Sequence, residues 1–86
     1  MNYRVEVRHQ AAKELKRLDR ITIKRIEAKI DELAGDPFNP RNSRQMETDP
    51  EARYARVGDW RIIYRVNEAT GTLDIVAIRP RGRAYR

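Results

Sequence analysis

The sequence predicts a single α+β domain, in which an antiparallel sheet carries a two-helix hairpin on one face and leaves the other face open. Three observations predict it: a period-two segment opens the chain, two segments with helical spacing follow, and three further period-two segments fill the second half. The predicted order is therefore β-α-α-β-β-β. With 86 residues the chain has room for one domain, residues 1–86, and not for two hydrophobic cores.

The first half of the chain is predicted to form one strand and two helices. In residues 3–8 apolar and charged side chains alternate, which predicts a half-buried strand. Residues 9–19 have apolar side chains at helical spacing. Thr22 caps or begins the second predicted helix, and Gly35 is its expected left-handed end before Pro37. The apolar stripe of that helix is spaced 3, 4 and 3 and consists of Ile23, Ile26, Ile30 and Leu33.

The second half begins with a polar segment, residues 36–52, that contains three of the four prolines and is predicted to be a long loop. Gly58-Asp59 and the segment 67–71 have the composition of tight connections, so the strands on either side of each are expected to pair as hairpins. Pro80 ends the last strand because it lacks a backbone N–H. The three predicted strands are residues 53–57, 60–66 and 72–79.

Alternation assigns the side chains of these strands to two faces. Trp60 and Tyr64 are predicted to face the helices, whereas Arg61 falls on the open face. A tight turn at residues 58–59 brings Arg56 beside Arg61 across the hairpin, with Tyr54 on the same face as Arg56. Guanidinium groups bind phosphate and aromatic rings stack on bases, so this face is predicted to bind RNA.

The charge of the chain supports a polyanionic partner. The formal net charge is +6, and 15 of the 19 cationic residues are Arg. All four Lys lie before residue 30, and no acidic residue follows Asp74. One interpretation is a phosphate-binding second half. The other is a genome whose base composition favours Arg codons, which does not explain why Lys is kept in the first third.

Several functional classes are excluded by what the sequence lacks. It has no cysteine, a single histidine (His9, expected at a cap or on the surface), and no spacing typical of a metal site or a phosphate loop. We therefore expect no metal and no cofactor. No apolar segment approaches the length of a membrane span, and no signal peptide is recognisable, which predicts a cytoplasmic protein without a membrane partner.

Three parts of the sequence together resemble the RelE/ParE toxin superfamily. They are segment 53–66, RYARVGDWRIIYRV, the N-x-R loop before it and the ending IRPRGRAYR. The opening YRVEVRHQAAKELKRL is similar to the first strand and helix of that family. The resemblance implies the toxin of a toxin–antitoxin pair, with an acidic, RelB-like cognate antitoxin as partner. RelE-like members cleave mRNA on the ribosome without a metal, by attack of the 2′-OH on the adjacent phosphate.

The resemblance also implies site residues. Arg61 matches the arginine of the G-D-aromatic-R motif and is expected to stabilise the phosphate. Arg81 is expected to act at the leaving oxygen, Tyr85 to stack on or orient the nucleotide, and Arg56 to polarise the 2′-OH region. The remaining predicted RNA-binding residues are Tyr54, Arg65, Arg79 and Arg83.

Two positions depart from the family pattern and leave the general base undefined. Tyr54 stands where potent members carry a second basic residue, and Pro80 stands where many carry a histidine. Arginine is a poor base because its guanidinium stays protonated, so Tyr54 or groups of the ribosomal RNA would have to help. Two alternatives therefore stay open: a ParE-like toxin that inhibits DNA gyrase without nuclease activity, and a non-catalytic nucleic-acid-binding member.

Overall fold

A computed structural model describes residues 2–80 and confirms the predicted α+β class. Two helices follow the first strand, and the other strands occupy the second half of the chain, as the sequence predicts. Within the described residues, neither helix has the length and apolar character needed to cross a bilayer. The elements are β1 (Arg4–Val7), α1 (His9–Lys16), α2 (Arg20–Gly35), β2 (Arg44–Gln45), β3 (Ala52–Val57), β4 (Trp60–Asn67) and β5 (Thr72–Pro80).

The five strands form one mixed sheet in the order β1-β5-β4-β3-β2. β3, β4 and β5 form the predicted antiparallel meander. The sheet is not wholly antiparallel, because β1 pairs in parallel with β5. A parallel pair requires a long connection, and the chain between β1 and β5 includes both helices. β2 was not predicted: it is a two-residue strand within the proline-rich loop, antiparallel to β3 at the edge.

The core lies between the helices and one face of the sheet. Tyr64 is completely buried, and its hydroxyl donates a 2.5 Å hydrogen bond to the carbonyl oxygen of Pro37. Trp60 is partly buried and packs against the same core, which confirms that both aromatic residues face the helices. The largest completely buried side chains are Tyr64, Ile26, Leu33, Ile62, Leu73 and Ile75.

The two ends of α2 differ from the prediction. Its N-cap is Asp19, not Thr22: the Asp19 carboxylate accepts hydrogen bonds from the backbone N–H and the hydroxyl of Thr22. These bonds lower the pKa of the Asp19 carboxyl below its ordinary value. Gly35 is the last helical residue and does not have a positive φ. Instead, Asp36 leaves the helix with φ −158° because a residue that precedes a proline disfavours helical geometry.

The turn between β3 and β4 depends on Gly58, which has φ +57°. Residues with a Cβ rarely adopt this conformation, whereas glycine adopts it freely. A Cβ at this position would lie 3.4 Å from an Nη atom of Arg25, so α2 also covers the turn. The tight turn fixes the register that pairs Val57 with Trp60.

A carboxylate supports the last part of β5, where β1 no longer pairs with it. The β1–β5 ladder ends at Val7 and Ile75. Beyond it, the Glu14 carboxylate of α1 accepts a 2.8 Å hydrogen bond from the backbone N–H of Ile78 and a 2.5 Å bond from the Arg79 guanidinium. Ile78 is buried, so Glu14 replaces the missing strand partner of its N–H group.

We predict that Glu14→Ala lowers the free energy of unfolding by about 1–3 kcal/mol, because it leaves the buried N–H of Ile78 without an acceptor. Glu14→Gln keeps a carbonyl oxygen at this position, so its free energy of unfolding should decrease clearly less. Urea denaturation of the two variants measures the difference. Equal losses in both variants would show that the charge on Glu14, rather than its hydrogen bond to β5, stabilises the fold.

Candidate functional site

Three arginines form a row across the open face of the sheet. In the strand register, Arg61 of β4 lies opposite Arg56 of β3 on one side and opposite Arg79 of β5 on the other. The prediction that Arg56 lies beside Arg61 across the hairpin is therefore confirmed. Like charges directly opposite each other destabilise a sheet by up to about 1 kcal/mol per pair. The side chains of this row need other partners or an anionic ligand.

Arg61 is held on the ring of Tyr54. Its guanidinium carbon lies 4.6 Å from the ring centroid, within the range of a cation–π contact. The residue is half-buried, and its Nε atom is inaccessible to solvent. Such a guanidinium has lost part of its rotamer freedom before any ligand arrives, so binding a phosphate costs less entropy.

Two other predicted RNA-binding arginines are neutralised within the chain. Arg79 forms the ion pair with Glu14 described above. Arg65 contacts the carboxylate of Asp49 and lies 3.8 Å from that of Glu51, so it ties β4 to the loop before β3. Both lie on the open face, but their positive charge is largely balanced.

A cleft of about 570 Å³ lies beside Arg61 on this face, and we call it the central cleft. It is formed where the β2 segment folds against the start of the meander. Arg44 and Glu47 were not predicted as site residues, because they lie in the segment expected to be a loop. The N-x-R pattern at Asn42–Arg44 is the sequence signal that points to Arg44. The residues that line the central cleft are Arg44, Gln45, Met46, Glu47, Thr48, Tyr54 and Arg61.

A smaller cleft of about 220 Å³ adjoins the central cleft, and we call it the side cleft. Arg44 and Tyr54 line both clefts, so they form the boundary between them. Arg56 lines the side cleft together with cationic residues of α2 and the loop. The side cleft is lined by Lys29, Pro40, Arg41, Asn42, Ser43, Arg44, Tyr54 and Arg56.

The predicted residues Arg81, Arg83 and Tyr85 lie outside the described residues, and their expected roles stay predictions. β5 ends at Pro80, which pairs with Trp60, one position beyond the Arg61–Arg79 pair. His9 is the exposed first residue of α1. Within residues 2–80, no group of three His, Asp or Glu side chains is placed to hold a metal ion.

Residues 5–85 match the family model described as the ParE toxin of type II toxin–antitoxin systems. The chain belongs to this toxin family. The match covers nearly the whole sequence and confirms the superfamily suggested by the motif around Arg61. No curated protein sequence matches the toxin.

Solved structures of RelE toxins have the same fold as the toxin. The toxin is 33% identical to a chain of the archaeal RelE–RelB complex from Pyrococcus horikoshii, with a TM-score of 0.78, and the match covers 96% of the toxin and 99% of that chain. The isolated RelE toxin of E. coli is 17% identical to the toxin, with a TM-score of 0.81, and the match covers 94% of the toxin and 86% of that chain. A chain of the RelBE2 toxin–antitoxin complex of Mycobacterium tuberculosis is 20% identical, with a TM-score of 0.79, and the match covers 94% of the toxin and 100% of that chain.

We predict a measurable coupling between Tyr54 and Arg61. A double-mutant cycle with Tyr54→Ala and Arg61→Ala, followed by urea denaturation, should give about 0.5–1 kcal/mol because the two side chains stack. Arg53 and Phe38 provide a comparison pair, since their separation is 5.6 Å and their coupling should be smaller. A coupling near zero for Tyr54 and Arg61 would contradict the fixation of Arg61 on the ring.

Proposed function

We propose that the toxin is a ribosome-dependent mRNA endonuclease that works without a metal and is neutralised by an antitoxin. The observation that carries this proposal is the half-buried Arg61, fixed on Tyr54 at the wall of a cleft that also contains Arg44 and Glu47. The open face of the sheet offers the positive charge that a phosphodiester requires. Its site of action is the cytoplasm, where ribosomes and mRNA are found.

In the proposed reaction the 2′-oxygen of a ribose attacks the adjacent phosphorus. A P–O2′ bond forms, the P–O5′ bond breaks, and the products are a 2′,3′-cyclic phosphate and a 5′-hydroxyl. Arg61 stabilises the added negative charge on the phosphate in the transition state. Arg56 polarises the 2′-OH region, Arg81 supplies a hydrogen bond or proton to the leaving 5′-oxygen, and Tyr85 stacks on or orients the nucleotide.

The central cleft also suggests a base for the 2′-OH, which the two departures from the family pattern leave undefined. Among the described residues that line this cleft, Glu47 is the acidic one. A carboxylate within hydrogen-bond reach of a hydroxyl can act as a general base for it. We assign Glu47 this role, in preference to Tyr54, whose ring already supports Arg61.

An antitoxin partner is part of the proposal. Structures of relatives from Pyrococcus horikoshii and Mycobacterium tuberculosis are toxin–antitoxin complexes, the former of RelE with RelB. An acidic antitoxin segment would complement the net charge of +6 of the toxin. Binding over the open face would block the central cleft and thereby prevent RNA from reaching Arg61.

We predict that Arg61→Ala relieves growth arrest on induction and lowers cleavage by about 10²-fold or more, because the phosphate loses its main donor. Mapping of mRNA 5′ ends after induction measures cleavage at codon-phased positions. Arg17→Ala is the matched control, since Arg17 is exposed just after α1 and is not among the residues that line either cleft.

The same induction distinguishes the nuclease from the gyrase-inhibiting alternative, which the ParE description of the matching family favours. A gyrase inhibitor leaves messages intact and blocks supercoiling by purified gyrase. Intact mRNA together with inhibited supercoiling would therefore overturn the proposed nuclease. Intact mRNA with normal supercoiling and no growth arrest would favour a non-catalytic member of the family.

We predict that Glu47→Gln lowers kcat by about 10²–10⁴-fold with little change in KM, because the amide cannot accept the proton of the 2′-OH. Single-turnover cleavage of ribosome-bound mRNA by the purified toxin measures this effect, and Glu51→Gln is the control acid outside the central cleft. Wild-type kcat in Glu47→Gln would remove Glu47 from the mechanism and leave the role of Arg61 untouched.

A further inference from the structure

Acidic side chains neutralise the arginines on the β5 side of the open face, but not those around the side cleft. Arg65 and Arg79 are paired with acidic side chains, as is Arg8, which lies 3.1 Å from Asp74. Within residues 2–80, Arg41, Arg44 and Arg56 form no ion pair, whereas Lys29 of the side cleft lies 3.7 Å from the carboxylate of Glu32. The surplus charge of the described face is therefore concentrated around the side cleft.

Hydrogen bonds give the side cleft a defined shape. The side-chain oxygen of Asn39 accepts from the backbone N–H of Arg41 at 2.9 Å, and its carbonyl accepts from the N–H groups of Asn42 and Ser43 at 3.0 and 3.1 Å. The ammonium group of Lys29 lies 3.5 Å from the side-chain oxygen of Asn42. The cations of the loop and of α2 are thus brought together by local structure.

Buried contacts attach this loop to the body of the protein. Ser43 is 5% exposed, and its hydroxyl donates to the carbonyl oxygen of Pro37 at 3.2 Å. The same hydroxyl accepts hydrogen bonds of 3.0 and 2.9 Å from Arg53 of β3. Pro37 also accepts from the buried Tyr64, so the loop that carries the side cleft is tied to the core.

We propose that the side cleft binds a second phosphodiester group of the same single-stranded RNA, next to the one that faces Arg61. Arg44 and Tyr54 line both clefts, so a strand leaving the central cleft meets cations again immediately. Repeated phosphates satisfy two adjacent cationic clefts better than an isolated carboxylate does. The RNA strand therefore runs toward Lys29 and Arg41, away from Arg65. This inference rests on the proposed function.

The test compares two doubly substituted toxins with the same reduction in charge. Lys29→Gln with Arg41→Gln removes cations of the side cleft, whereas Arg17→Gln with Lys24→Gln removes exposed cations of the helical part. Fluorescence anisotropy with a short uridine oligoribonucleotide gives Kd over about 50–200 mM KCl. The logarithm of the association constant falls linearly with the logarithm of the salt concentration. The magnitude of this slope should decrease by about 0.7 for each phosphate that the side-cleft variant no longer neutralises, and it should stay near the wild-type value in the control.

Two results would overturn the proposal. Equal weakening in both double variants would mean that RNA senses net charge and not the side cleft. Unchanged RNA binding in the side-cleft variant, together with weaker binding of an acidic antitoxin peptide or weaker gyrase inhibition, would assign the cleft to a protein partner. Thermal melts followed by circular dichroism check that each variant is folded.

Cleavage kinetics separate a failure of this site from a failure of the proposed function. In the nuclease, the side-cleft variant should raise KM several-fold with kcat unchanged, because it weakens binding without touching the reacting phosphate. A toxin that binds RNA through the side cleft and never cleaves it would refute the nuclease and retain the site. A toxin that cleaves with unchanged KM in this variant would retain the nuclease and refute the site.

Discussion

The arrangement of the open face depends on the register between β3 and β4. The tight turn with Gly58 at positive φ sets this register, and it places Arg56 opposite Arg61 while Ala55 and Ile62 face the core. A shift by one residue would send the arginines toward the helices and the buried residues toward solvent. Burial of apolar side chains on one face therefore also enforces the gathering of charge on the other, and the candidate site needs no separate source of stability to hold its strands in place.

Alternation in the sequence was enough to predict the two faces of the meander, because each strand is long enough to show a period of two. It was not enough for β2, since two residues carry no periodicity and the segment contains the prolines typical of loops. The parallel pairing of β1 was also missed, because its partner lies near the other end of the sequence and no local pattern indicates it. Helix ends were predicted to within a few residues, and the capping role of Asp19 became evident only from its bonds to Thr22.

The same limit applies to the site. The sequence indicates which arginines share a face, but not which of them remain available to a ligand. Arg79 is neutralised by Glu14, which lies 65 positions away in the chain, and Arg65 by Asp49, which precedes it by 16 positions. Such long-range pairs depend on the tertiary fold. The net charge of +6 is therefore unevenly distributed: acids of the helices and loop compensate part of the sheet, and the surplus lies around the side cleft, at Arg41, Arg44 and Arg56.

The position of β5 between β1 and β4 has a consequence for synthesis of the chain. β5 lies between β1 and β4, so the first strand has no partner in the sheet until residues 72–80 are available. Chains are made from the N-terminus, and contacts between distant segments form late in folding. The nascent toxin can therefore form its helices early, but it cannot complete its sheet until nearly all of this domain has left the ribosome that makes it. Arg61 can therefore lie between Arg56 and Arg79 only after β5 has been synthesised.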